Sequence, residues 1–97
     1  MTASYLILGE GTVSCGEWIE RRARPEGDTL RFISEVWVRG FLTGMNSSLA
    51  FIDHKLSWTG KDTDPAGNNL WLDNYCRLHP LTHLGDAAGA LWNELSR

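Results

Sequence analysis

Long apolar runs, lysine, proline and clustered basic charge are all scarce in this sequence, and each shortage excludes something. No stretch approaches the ~20 consecutive apolar residues that a membrane-spanning helix requires. Lysine is limited to Lys55 and Lys61, and the basic residues are scattered apart from Arg21, Arg22 and Arg24. With a formal net charge of -3, the chain offers no basic stripe of the kind that holds nucleic acid. The arginine trio reads as the solvated end of a short helix, where cations suit the negative end of the dipole. No CxxC spacing occurs, so neither a metal site nor a cofactor is expected. Met1-Thr2-Ala3-Ser4 has neither the basic nor the apolar region of a secretory signal.

What is present is an ordinary globular composition over 97 residues, enough for one domain with one core. The two cysteines are its most informative residues. Cys15 lies in Ser14-Cys15-Gly16-Glu17-Trp18-Ile19 and Cys76 in Leu72-Asp73-Asn74-Tyr75-Cys76-Arg77-Leu78, both helix-like patterns. Two such thiols and no others point to one long-range disulfide and an oxidising compartment. The alternative is a pair of separate buried thiols in a cytosolic protein. Closing so long a loop would contribute about 4 kcal/mol in the chain-entropy treatment. The disulfide and the missing signal agree if the chain is the mature part of an exported protein. A native start at Met1 would weaken that expectation.

The pattern predicts about four helices. Tyr5-Leu6-Ile7-Leu8 reads as a short strand or arm, pairing with Lys55-Leu56-Ser57-Trp58, so that residues 1–13 form an arm and 14–97 a helical domain. Ser14 and Glu17 form a Ser-x-x-Glu capping box, followed by Cys15, Trp18, Ile19 and Arg22 on one face. Asp28 caps a second helix with a broad apolar face through Leu30, Ile33, Trp37, Val38, Phe41, Leu42, Met45 and Leu49. Asn46-Ser47-Ser48 is expected to bend or break it. Gly40 and Gly44 share a face of this helix, and each costs about 1 kcal/mol against alanine, so close helix packing is expected there. Asp64-Pro65 opens a third helix carrying Leu70, Trp71, Leu72, Tyr75, Cys76 and Leu78. Thr82 is the expected cap of a fourth, with Leu84, Ala87, Ala88, Leu91, Trp92 and Leu95 as its stripe and Gly85 and Gly89 as a flat strip.

Few constellations carry chemistry. Gly9-x-Gly11 lacks the third glycine of a dinucleotide loop and reads as a turn. Asp62, Asp64, Gly67 and Asp73 copy part of a calcium loop, but Pro65 and Ala66 spoil it, and Asp64 as a helix cap is simpler. His79 and His83 flank Pro80, and His54 stands alone; a pH switch is conceivable, yet His79 near a helix end is the plainer account. Cys76 and His79 could form a nucleophile pair only if Cys76 were reduced. Of five tryptophans, Trp18, Trp37, Trp71 and Trp92 fall on core faces, whereas Trp58 lies in a loop and is the candidate binding aromatic, with Phe51 nearby. Asn46-Ser47-Ser48 also fits a glycosylation triplet.

The blocks Ser14-Cys15-Gly16-Glu17-Trp18-Ile19, Arg39-Gly40-Phe41-Leu42-Thr43-Gly44-Met45-Asn46, Asn74-Tyr75-Cys76-Arg77 and Leu91-Trp92-Asn93-Glu94-Leu95 resemble the HdeA/HdeB-like periplasmic proteins of bacteria. They are also similar to the Tai-type immunity proteins of type VI secretion. The resemblance implies a mainly α, exported bundle in which Cys15–Cys76 bridges helices one and three. One branch implies a homodimer that acid loosens into a holder of unfolding client proteins, the other a rigid surface that blocks a toxin. The lysine-rich segments of the acid chaperones are missing here. The function expected is therefore non-enzymatic binding of a protein partner in the periplasm or outside the cell: stress-protective and chaperone-like first, immunity second, a small hydrolase a distant third.

Overall fold

The first helix begins where the sequence places its cap. In the computed structural model, which describes residues 5–97, Ser14 Oγ accepts from the Glu17 backbone N–H at 3.1 Å and α1 runs Cys15–Arg22. Helix α2 spans Thr29–Phe51 after the Asp28 cap, α3 spans Pro65–Leu78 after Asp64, and α4 spans Leu84–Leu95. The protein is mainly helical, and no strand occurs among the described residues. None of its described helices is long and apolar enough to cross a membrane.

The bridge is formed. Cys15 and Cys76 are joined across a sequence separation of 61, both fully buried, with their Cα atoms 4.8 Å apart. This bond fastens the first residue of α1 to the last turn of α3. Around it Trp18, Val38, Leu72, Leu84, Ala87 and Leu91 make one core drawn from all four helices. The two sides of the corner between α3 and α4 also hold α1. Its early N–H groups at Cys15 and Gly16 donate to Thr82 O (2.7 Å) and Pro80 O (2.9 Å), and Leu84 N–H donates back to Val13 O at 2.7 Å. Helix ends leave such groups without intrahelical partners, so this exchange completes two ends at once. It also replaces the expected Thr82 cap: His83 holds the cap position of α4 and makes no side-chain cap bond.

Further sequence expectations are corrected. The N-terminal strand is not formed over 5–8; residues 1–4 of the expected arm lie outside the described residues. Instead Gly9–Thr12 is a 3-10 helix, and the arm packs through shape. Ile7 sits in a notch, where a Cβ on Gly85 would lie 2.9 Å from its Cγ2 and one on Gly11 would collide with the Trp37 ring. The Gly85 strip thus admits the arm, and the 3-10 helix contacts α2 and α4. Second, α2 does not break at Asn46, because the Asn46 side chain bonds outward rather than to its own backbone. Third, Gly40 and Gly44 pack against nothing within the described chain: a Cβ on either would meet open space. Leu70 and Leu78 likewise face outward rather than into the core.

The contrast among glycines is testable by urea denaturation. Gly11→Ala should lose about 1–3 kcal/mol, because the Trp37 ring must shift. Gly40→Ala should gain up to about 1 kcal/mol, since only helix propensity changes. A destabilising Gly40→Ala would show a neighbour against that face.

Candidate protein-binding surface

Two regions of α2 hold the polar and apolar extremes of the molecule. Its first turns belong to an ion-pair hub. Arg22 grips Asp73 with Nε to Oδ1 and Nη2 to Oδ2, both at 3.1 Å, and Trp18 Nε1 donates to the same Oδ1 at 2.8 Å. Arg22 also reaches Glu35 at 3.4 Å, and Arg31 Nε donates to Glu35 at 2.8 Å. Arg21 pairs with Glu10 and donates to buried Ser34 at 2.9 Å. Its buried Nε lies 3.5 Å from Glu17, an ion pair without a hydrogen bond. Asp73 hydrogen bonds hold the Arg22 guanidinium pKa above its usual value, burial opposing and Glu35 assisting.

Arg21 and Arg22 are therefore not a solvated fringe, whereas Arg24 stays at the surface, paired with Glu20 and Asp28. Arg21 and Arg22 side chains keep only 11% and 21% of their exposure, and they cross-link the 3-10 helix, α1, α2 and α3. Sequence reasoning missed this hub because its carboxylates, Glu10, Glu35 and Asp73, are distant along the chain. The nearest signal was Arg22 on the same helical face as Cys15 and Trp18. Asp73 is also withdrawn from the partial calcium loop, and Asp64 Oδ1 accepts from Gly67 N–H at 2.7 Å as a cap.

At the other end, α2 runs out into an apolar outer surface. Phe51 is 81% exposed and Trp58 is 70% exposed, with Ile52 and Leu56 also outward between them. So many large apolar side chains within eight residues is unusual for a surface that stays in water. The segment is anchored. Asn46 Oδ1 accepts from Trp92 Nε1 at 3.1 Å and from Ser57 Oγ at 2.7 Å, while Asn46 Nδ2 donates to Thr59 O at 3.0 Å. Asn46 thereby pins the loop to α2 and α4, and its committed amide opposes the glycosylation reading. His54, between Phe51 and Trp58, adopts a left-handed φ of 54° at the turn that ends α2. Non-glycine residues rarely hold that conformation; here Lys55 N–H donates to Leu49 O at 2.9 Å across the turn.

The remaining sequence candidates divide. Trp18 is fully buried; Trp37, Trp71 and Trp92 are half-buried. His79 packs against Tyr75 in a tilted arrangement with ring centroids 4.5 Å apart, and Cys76 is oxidised, so Cys76 cannot act as a nucleophile. No group of three or more His, Cys, Asp or Glu that could hold a metal ion occurs among the described residues. No family model, curated protein or solved structure matches this chain. The likeness to the HdeA/HdeB-like and Tai-type proteins stands on its sequence blocks alone.

Two outcomes test the polar end. Arg22→Met should cost about 3 kcal/mol in urea denaturation, because it strands a buried carboxylate; a loss under about 1 kcal/mol would mean that Asp73 is solvated in the variant. Asp28 is held below its ordinary 3.8 chiefly by the Arg31 backbone N–H, with Arg24 assisting and burial opposing. A depressed carboxylate stabilises the fold above its unfolded pKa, and that contribution disappears as pH falls through the folded value. The melting-temperature gap between wild type and Asp28→Ala should therefore be full at about pH 6 and close at about pH 2.

Proposed function

We propose that this chain is a non-catalytic protein-binding protein of an oxidising compartment, exported to the periplasm or beyond the cell. The observation that carries the reading is the apolar segment Phe51–Trp58, exposed yet held in shape by Asn46. Aromatic side chains that are outward and pre-ordered suit protein recognition, since little entropy is lost when a partner covers them. The Cys15–Cys76 bond supports the compartment, because cytosolic thiols are kept reduced.

Within that class the leading role is an HdeA-type, stress-protective holder of unfolding proteins. At low pH the carboxylates that face Arg21, Arg22, Arg24 and Arg31 lose their charge, and the arginines left between the helices repel one another. The fold loosens while the disulfide keeps it from unfolding completely, and more apolar surface becomes available to clients. The neutral state in this reading is a homodimer, supported by the outward Phe32 and Val36 of α2. The second role is immunity toward one secreted enzyme. The rigidity of the disulfide and the arginine hub favours it, since a pre-organised surface binds a single partner tightly.

The test is light scattering from unrelated aggregating proteins at about pH 2–3, the acid range in which carboxylates are neutralised. The wild-type chain should suppress the signal, and Phe51→Ser with Trp58→Ser should suppress it less. No suppression by the wild type would eliminate the chaperone role. Stoichiometric capture of one secreted enzyme at neutral pH would establish the immunity role in its place.

A further inference from the structure

One open cleft in the molecule combines an aromatic wall with a net negative lining. It occupies about 550 Å³ between the loop after Trp58 and the facing sides of α3 and α4. Leu91 and Leu95 form its apolar floor with Trp71, and two carboxylates, Asp62 and Asp64, line its rim against the single ammonium of Lys61, which leaves the lining net negative. The volume lies in the range of small-ligand sites.

The chemistry of the walls selects the occupant. Tyr75 stacks on one face of Trp71, with ring centroids 5.3 Å apart and planes 15° from parallel. Side chains on a helix lean toward its N-terminus, so the other face of Trp71 looks toward Gly67 and Asn68, which line the cleft. A free indole face attracts a cation. The rim adds charge of the right sign. Asp64 spends Oδ1 on the Gly67 N–H, leaving Oδ2, and Asp62 has only Lys61 near it, at 3.9 Å. An anion is disfavoured, because Asp64 already caps the α3 N-terminus. Apolar floor, flat aromatic wall and carboxylate mouth match the stem, plane and charge of an arginine side chain.

We propose that this cleft is a subsite for one arginine side chain of the protein partner. The inference rests on the protein-binding reading and specifies part of its surface. Trp58 leads directly into the cleft: Lys61 N–H donates to Trp58 O at 3.0 Å, closing the turn between them. A partner covering Trp58 would thus place its neighbouring residues over the Asp62 rim.

The experiment is an NMR titration of the isolated oxidised protein with N-acetylarginine amide and with its neutral isostere N-acetylcitrulline amide. The Trp71 indole and Gly67 amide signals should shift saturably with arginine, and citrulline should bind about five-fold more weakly or worse. Asp62→Asn and Trp71→Leu should each weaken arginine about three-fold, with the melting temperature of the exposed Asp62→Asn variant unchanged. Equal affinity for citrulline would overturn the proposal in favour of a neutral apolar pocket. Arginine binding unaffected by Asp62→Asn, or no shift at either reporter, would also overturn it. Because no partner is present, arginine binding without client protection or enzyme capture would defeat the protein-binding reading and leave the subsite standing.

Discussion

A helix of eight residues has no stability of its own in water. That α1 exists at all depends on its tie to α3. The Cys15–Cys76 bond fixes its first residue, and the Trp18–Asp73–Arg22 contacts fix its middle and end. The bond excludes from the unfolded chain all conformations in which these helices are far apart, a contribution of about 4 kcal/mol by loop entropy. That is comparable with the net stability of many small domains. With α1 in place, its N-terminus exchanges hydrogen bonds with the α3–α4 corner, and Arg21 draws in the 3-10 helix.

The same constraint leaves the two ends of α2 with different structural demands. Helix α2 is about 35 Å long at 1.5 Å per residue. Its first third is consumed by the arginine hub, while its last turn and the loop beyond make no comparable demand on the core. Phe51, Ile52, Leu56 and Trp58 can therefore remain outward, because the fold is secured elsewhere. Asn46 keeps that region ordered through polar contacts alone, without burying the apolar side chains it supports.

Local chemistry was legible in the sequence wherever its cause was local. Ser14, Asp28 and Asp64 each cap the helix that the residues after them predict, and each accepts the expected backbone N–H. The helix count and the cysteine pairing were legible for similar reasons. What escaped were consequences of tertiary placement. Tyr5–Leu8 has the composition of a strand, but no strand partner meets it, and Ile7 packs into the Gly85 notch instead. Arg22 looks like a surface cation until Asp73 arrives from far along the chain. Asn46 looks like a helix breaker until Trp92 and the loop occupy its side chain. Gly40 and Gly44 share the pattern of a packing face, yet spacing cannot say whether anything lies opposite, and within the described chain nothing does. For the proposed binding surface, Trp58 and Phe51 were readable as candidates; the cleft beside Trp71 was not, because it needs α3, α4 and the loop together.

The tie between α1 and α3 is tested most directly by alkylating the protein under denaturing conditions immediately after recovery from its natural compartment. Without reductant the account predicts no labelled cysteine, and after reduction it predicts label on both Cys15 and Cys76. Label on both residues before reduction would contradict it, removing the bond that organises α1 and the reason to place the chain in an oxidising compartment.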